Sequence, residues 1–373
     1  MTWRALREPP WHVMHCGVWL VLAFCLGPAA GQERPAGKPR LDSFASLVSE
    51  LSERPGYFDT DNLVSNERSY LHVAPDLVAL RGRGRGVYLG VGPDQNFSYI
   101  AQLRPSLAIL VDIRRDNLLL HLLFKALFAE ARTRTAYLAL LTGRSLPGQE
   151  RGRPTLDEII RSVDRAPPLR DAELGALRAR VTKVIASFGV PLSESDRTTI
   201  DRFHRRFAAE GLSLRFNSFG RQPQYGYPTF RELLSEVDRQ GIQRSYLATE
   251  EDFQFVKRMH DGDRIVPIVG DLSGPTALSA VARLLARSNE QVAAFYTSNV
   301  EFYLFSAGSF DAFIANLRRL PRMPGALVVR SVFGAGGARP LPGYNSVSLT
   351  QPIEGLLDGV AGGRIRSYRD LTR

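Results

Sequence analysis

Two stretches decide the fold: Val87-Tyr-Leu-Gly-Val-Gly-Pro-Asp-Gln-Asn96 and Leu107-Ala-Ile-Leu-Val-Asp112. Each holds a short, uninterrupted apolar run of the kind a parallel strand shows when helices cover both its faces. The first run breaks at Gly90-Val-Gly92, where two glycines let the backbone turn tightly, and Asn96 is placed to cap a helix beginning at Phe97. Asn117 is placed to cap a second, strongly apolar helix, from Leu118 to Phe128. A run so short does not cross a bilayer and belongs in a core. Strand, glycine turn, helix, strand, helix over residues 87–130 opens a doubly wound α/β sheet.

Towards the C-terminus the alternation stops at about residue 143 and resumes at about residue 245. In between, Thr155 before Asp157 and Glu158, Asp171 before Glu173, and Ser195 before Asp196 mark helix starts with acids in the first turn. Ile200, Phe203 and Phe207 recur at helical spacing before Gly211. This stretch is predicted to be a helical insertion between the second and third strands. It contains an aromatic, polar, helix-breaking segment from Phe216 to Pro228, which either lines a ligand site or packs as a loop. Further strands are predicted from Arg264 to Gly270, Gln291 to Tyr296 and Gly325 to Phe333, with helices from Ala277 to Ala286 and Phe310 to Leu320. From Gly334 the chain is rich in glycine and proline and is expected to be mostly loop. The expected organisation is therefore a signal peptide over 1–31 and a linker with one helix over 32–56, the helix capped by Asp42. An α/β domain over 57–335 and a tail over 336–373 follow.

Outward to the N-terminus, Arg4 and Arg7 precede the apolar run from Gly17 to Leu26, which ends at Gly27-Pro28 and the small residues Ala29-Ala30-Gly31. That order is a secretory signal cleaved after Gly31, and it predicts an exported, periplasmic or extracellular protein. The alternatives are an uncleaved membrane anchor, lipidation at Cys25, with bulky Phe24 against it, and a start assigned too early, although beginning at Met14 would keep the whole apolar run. Cys16 and Cys25 are the only cysteines, so the exported chain would carry no disulfide, catalytic thiolate or cysteine-held metal. His72, His121, His204 and His260 show no ligand spacing, and no metal site is expected.

The 373 residues are 44% hydrophobic and 23% charged, which excludes disorder, collagen and a polytopic membrane protein. The net charge of +10 comes almost wholly from dispersed arginines, lysine occurring only at Lys38, Lys125, Lys183 and Lys257. That is not a nucleic-acid footprint, and the run Arg81-Gly-Arg-Gly-Arg-Gly86 is expected to be a solvated loop rather than a phosphate contact. A small molecule is the expected partner.

In an open α/β sheet, ligands bind beyond the carboxyl ends of the strands. Those ends carry Gly90, Gly92, Asp94, Gln95 and Asn96, then Asp112, Asp271, and finally Ser298-Asn299-Val300-Glu301. Asp112 follows Gly92 at about twenty residues, the spacing at which an acid accepts from ribose hydroxyls. Gln95 replaces the third glycine of a G-x-G-x-x-G turn, so a dinucleotide pyrophosphate fits poorly and an adenosine-type ligand without it fits better. Each acid also has the commoner role of a helix cap open to it.

In the order Gly90-x-Gly92, Asp112, Asp271 and a polar loop after the fourth strand, the chain resembles class I S-adenosylmethionine-dependent methyltransferases. With Val87 to Asn96, Val269-Gly-Asp271 and Phe295-Tyr-Thr-Ser-Asn-Val-Glu-Phe-Tyr-Leu-Phe305 it is similar, over about residues 57–335, to a bacterial family of uncharacterised methyltransferase-like proteins. The resemblance implies a Rossmann-like sheet with S-adenosylmethionine as cofactor. Gly90 and Gly92 would approach its methionine part, Asp112 its ribose and Asp271 its adenine amine. Ser298 and Asn299 stand where some amine methylases carry Asn-Pro-Pro-Tyr, whose prolines are missing here. Glu301 is the candidate base for a methyl acceptor oriented by Asn299 and Tyr303, and a structural ion pair or hydrogen bond is the other role open to it. One expected function is a methyltransferase of unknown substrate. Because S-adenosylmethionine is made in the cytoplasm, the other is a secreted, catalytically inactive methyltransferase-like domain binding an envelope, lipid or nucleoside ligand; an interaction scaffold would have no pocket.

Overall fold

Six strands make one sheet in the computed structural model, which describes residues 43–84, 86–145, 152–219, 226–334 and 337–373. The segment expected to be a signal peptide, with both cysteines, lies outside the described residues, as do Asp42, Arg85 and residues 220–225 of the aromatic stretch. The strands are β1 (Val87–Gly90), β2 (Leu107–Asp112), β3 (Ile265–Val269), β4 (Val292–Ser298), β5 (Arg322–Val332) and β6 (Val347–Pro352), in the order β3-β2-β1-β4-β5-β6. β1 pairs in parallel with β2 and β4, β2 with β3, and β4 with β5; β6 runs antiparallel to β5. This is an α/β protein with a mixed sheet, compatible with a Rossmann-like fold. From β1 the chain steps outward through β2 to β3 and then returns to the other side of β1 with β4. Such a reversal opens a crevice between the two strand ends.

The apolar runs are explained by burial: every residue of β1 and β3 is buried. The helix expected from Leu118 extends from Arg115 to Glu130, and its residues are buried without a break from Asn117 to Phe128. It packs on β3 with one side and against the insertion helices Asp171–Ser187 and Glu194–Glu210 with others, so it needs no polar face. Asn117 is not its cap but lies inside it, with both amide atoms unpartnered.

The insertion is helical as expected between β2 and β3. Thr155 and Glu158 form a reciprocal cap on Leu156–Arg165, and Ser193, rather than Ser195, caps Glu194–Glu210. Ser43 caps the N-terminal helix Phe44–Leu51. A short helix after β4, Val300–Ser306, was not foreseen. The tail differs most. Instead of loop it supplies β6 and the helix Ile353–Ala361, which buries Ile353, Leu356 and Leu357. β6 was not legible in the sequence, because Ser346 and Ser348 are buried at its start where apolar residues would mark a strand. Ser346 and Ser348 are accommodated by hydroxyl bonds to Ser69 at 3.0 and 3.2 Å. Among the described residues no helix is long and apolar enough to cross a membrane.

Candidate functional site

At the end of β1 the backbone passes through Gly92 at φ 85°, a left-handed conformation that favours glycine. Asn96 turns back beneath this loop. Its amide donates to the carbonyls of Val91 and Pro93 at 2.9 and 2.8 Å and accepts the Tyr88 hydroxyl at 2.7 Å. It is therefore a clasp inside the helix Gln95–Leu103, not the cap expected. A Cβ at Gly90 would overlap the Asn96 side-chain oxygen, so this glycine serves the clasp. Asp94 also points inward and accepts the Tyr246 hydroxyl at 3.0 Å. Burial pushes its carboxyl up to about 7. Gly90, Asp94 and Asn96 thus build the turn, and they do not line the cavity described next.

A cavity of about 430 Å³ opens at the carboxyl ends of β1 to β4 and brings together Gly92, Gln95, Asp112, Asp271, Ser298, Asn299 and Tyr303. Its volume falls within the roughly 300–1000 Å³ of small-molecule sites. Asp112 is held by Arg114, whose backbone N–H reaches Oδ1 at 2.9 Å and whose guanidinium reaches Oδ1 and Oδ2 at 3.2 and 3.1 Å. The same guanidinium donates to the carbonyl of Thr60 at 2.8 Å. Asp271 accepts both the backbone N–H and the hydroxyl of Ser273 at 2.8 Å. Its loop is pinned by Glu53, which accepts the backbone N–H groups of Asp271 and Ala277 at 2.6 and 3.2 Å.

Glu301 stands elsewhere. Its carboxylate is 1% exposed and takes both arms of Arg330, at 2.6 and 3.2 Å. It does not line the cavity. The role of base expected of it does not go with this place; the ion-pair role does.

The residues not foreseen come from the segment before β1. Phe58, Thr60, Asn62, Ser65, Asn66 and Glu67 all line the cavity, because Thr60 bridges to Ser218 and is gripped by Arg114. Glu67 is 1% exposed and accepts the hydroxyls of Tyr296, Ser298 and Ser331. Burial raises its pKa against the lowering effect of those hydroxyls. A signal existed in the sequence: Leu63 and Val64, both buried, sit between dense polar residues, which is the pattern of an ordered polar segment rather than a solvated one. The aromatic stretch contributes Phe216 and Tyr227, and the ring of Tyr303 meets Phe58 edge to face at 4.9 Å.

Among the described lining residues the charged ones are Glu67, Asp112, Asp271 and Arg114, and Arg114 is already paired with Asp112. With three carboxyls and no uncommitted cation among the described residues, the cavity suits a neutral or cationic ligand better than a phosphate. Aromatic rings and hydroxyls complete a wall suited to a flat, polar-edged molecule.

The chain matches a domain of unknown function, DUF7790, over residues 62–147 and 212–347. It belongs to that uncharacterised family, and the gap between the two matched segments falls within the helical insertion. No match was found among curated proteins.

Proposed function

We propose that the cavity binds a nucleoside without phosphates, S-adenosylmethionine in particular, and that the domain is a class I methyltransferase-like protein acting on a substrate still to be found. The observation that carries this reading is the meeting of Gly92, Asp112, Asp271, Ser298 and Asn299, from the ends of four successive strands, around one cavity. Its charge agrees: a sulfonium is welcome beside carboxyls and aromatic rings, and a pyrophosphate is not. Gln95 leaves its buried Oε1 unpartnered, an acceptor that a ligand N–H or hydroxyl would satisfy. Gly92 presents backbone without a side chain to the same space.

When bound, S-adenosylmethionine supplies an activated methyl group on a sulfonium. The chain's part is to hold the ribose edge at Asp112, whose carboxylate Arg114 keeps oriented, and the base edge at Asp271. Tyr303 and Asn299 flank the space left for an acceptor. Titration calorimetry with S-adenosylmethionine and S-adenosylhomocysteine tests the reading. Micromolar binding, weakened at least about tenfold by Asp112→Ala, is expected; no heat at millimolar ligand would remove the proposal.

A further inference from the structure

Glu67 lines the cavity while forming no ion pair among the described residues. A carboxylate offers about four acceptor positions, and three are filled: Tyr296 and Ser331 donate to Oε2, and Ser298 donates to Oε1. Ser298 lines the cavity and the other two do not, so the remaining position belongs to the oxygen on the cavity side. Ser298 is held for this contact at φ 55°, a conformation that non-glycine residues adopt at an energetic cost and that gathers at functional sites. Tyr296 also accepts the Gln95 amide at 3.1 Å. Glu67 is therefore tied to the ends of both β1 and β4, at the reversal of strand order.

Nothing positive balances it among the described residues. The titratable groups that feel its charge are the phenols of Tyr88, Tyr99, Tyr296 and Tyr368, and burial keeps each of them neutral. Arg330, next in sequence to Ser331, is held by Glu301, and Arg114 by Asp112. A buried carboxyl in that position either keeps its proton or acquires a cation from outside the chain. We propose that Glu67 is the counter-ion of the cavity, its Oε1 receiving the sulfonium of the ligand. The exchange balances: a protonated carboxyl and a free cation become a carboxylate–cation pair, and one proton passes to solvent. The identity of the ligand rests on the nucleoside reading; the demand for positive charge does not.

The test is calorimetry on the wild-type chain and Glu67→Gln, in two buffers of different ionisation enthalpy, with S-adenosylmethionine, its uncharged product S-adenosylhomocysteine, and trimethylsulfonium. Wild type is expected to release a proton on binding S-adenosylmethionine, and Glu67→Gln to lose that release and at least about tenfold in affinity. S-adenosylhomocysteine should bind both proteins alike, and trimethylsulfonium should follow S-adenosylmethionine. If the nucleosides bind and the substitution affects both equally or neither, Glu67 is not the counter-ion and the nucleoside reading survives. If trimethylsulfonium alone binds, and only to wild type, Glu67 keeps its role and the nucleoside reading falls; binding of none of the three overturns both. Glu67→Asp, which keeps the charge, provides the second variant: proton release must persist in it.

Discussion

Replacing Asp94 with asparagine should change the pH dependence of stability by an amount that its surroundings set. The carboxyl is 4% exposed and its side-chain partner among the described residues is the Tyr246 hydroxyl, which an asparagine oxygen accepts equally well. Burial raises its pKa from 3.8 to about 7. Between those values the folded protein holds a proton that the unfolded chain has released, so stability is present at acid pH and is lost as pH rises to about 7. A difference of about three pKa units corresponds to about 4 kcal/mol in all. Most of it, about 3 kcal/mol, falls between about pH 5 and pH 8 by the same linkage. Buried His121, lowered to about 4, has the opposite slope: it favours the folded state above about pH 6.5 and disfavours it below. The wild-type profile mixes the two, and the difference between variant and wild type isolates Asp94. Urea unfolding should be followed by far-ultraviolet circular dichroism, since the three tryptophans all precede the described residues. Asp94→Asn should gain on wild type by about 3 kcal/mol from pH 5 to pH 8; a difference that stays constant with pH would refute the reasoning.

Removing one partner of the Glu301–Arg330 pair should destabilise strongly. Both side chains are 2% exposed or less, so Glu301→Ala should cost about 3–5 kcal/mol in unfolding free energy, and Glu301→Ala with Arg330→Met should recover most of it. A single variant as stable as wild type would mean that the pair is not buried. For the N-terminus, alkaline phosphatase fused after Thr60 should be active in a bacterial host, as export requires; activity only inside lysed cells would show that the preceding segment is not an export signal.

How much of this could be read from the chain depends on how local each cause is. β1 to β5 were legible because an apolar run between glycine turns encodes a buried strand by itself, and the insertion helices because caps such as Thr155 with Glu158 act across one turn. β6 was not, since its serines become comfortable inside only when Ser69 and Ser331 arrive from elsewhere. The same reason hid the most informative part of the site. Glu67 meets Ser298 and Ser331 across more than two hundred residues, and no local pattern announces that.

The place of Glu301 has a sharper lesson. Arg330 lies inside Val328-Val-Arg-Ser-Val332, a run otherwise suited to a buried strand. An arginine there must have an acid partner, because an uncompensated guanidinium is too costly to bury. Glu301, just past the end of the neighbouring strand β4, is that partner. Once that pairing is made, and Asp112 is given to Arg114, the acids lining the cavity without a cation among the described residues are Glu67 and Asp271. The proposed counter-ion role of Glu67 rests on that subtraction, whatever the rest of the ligand proves to be.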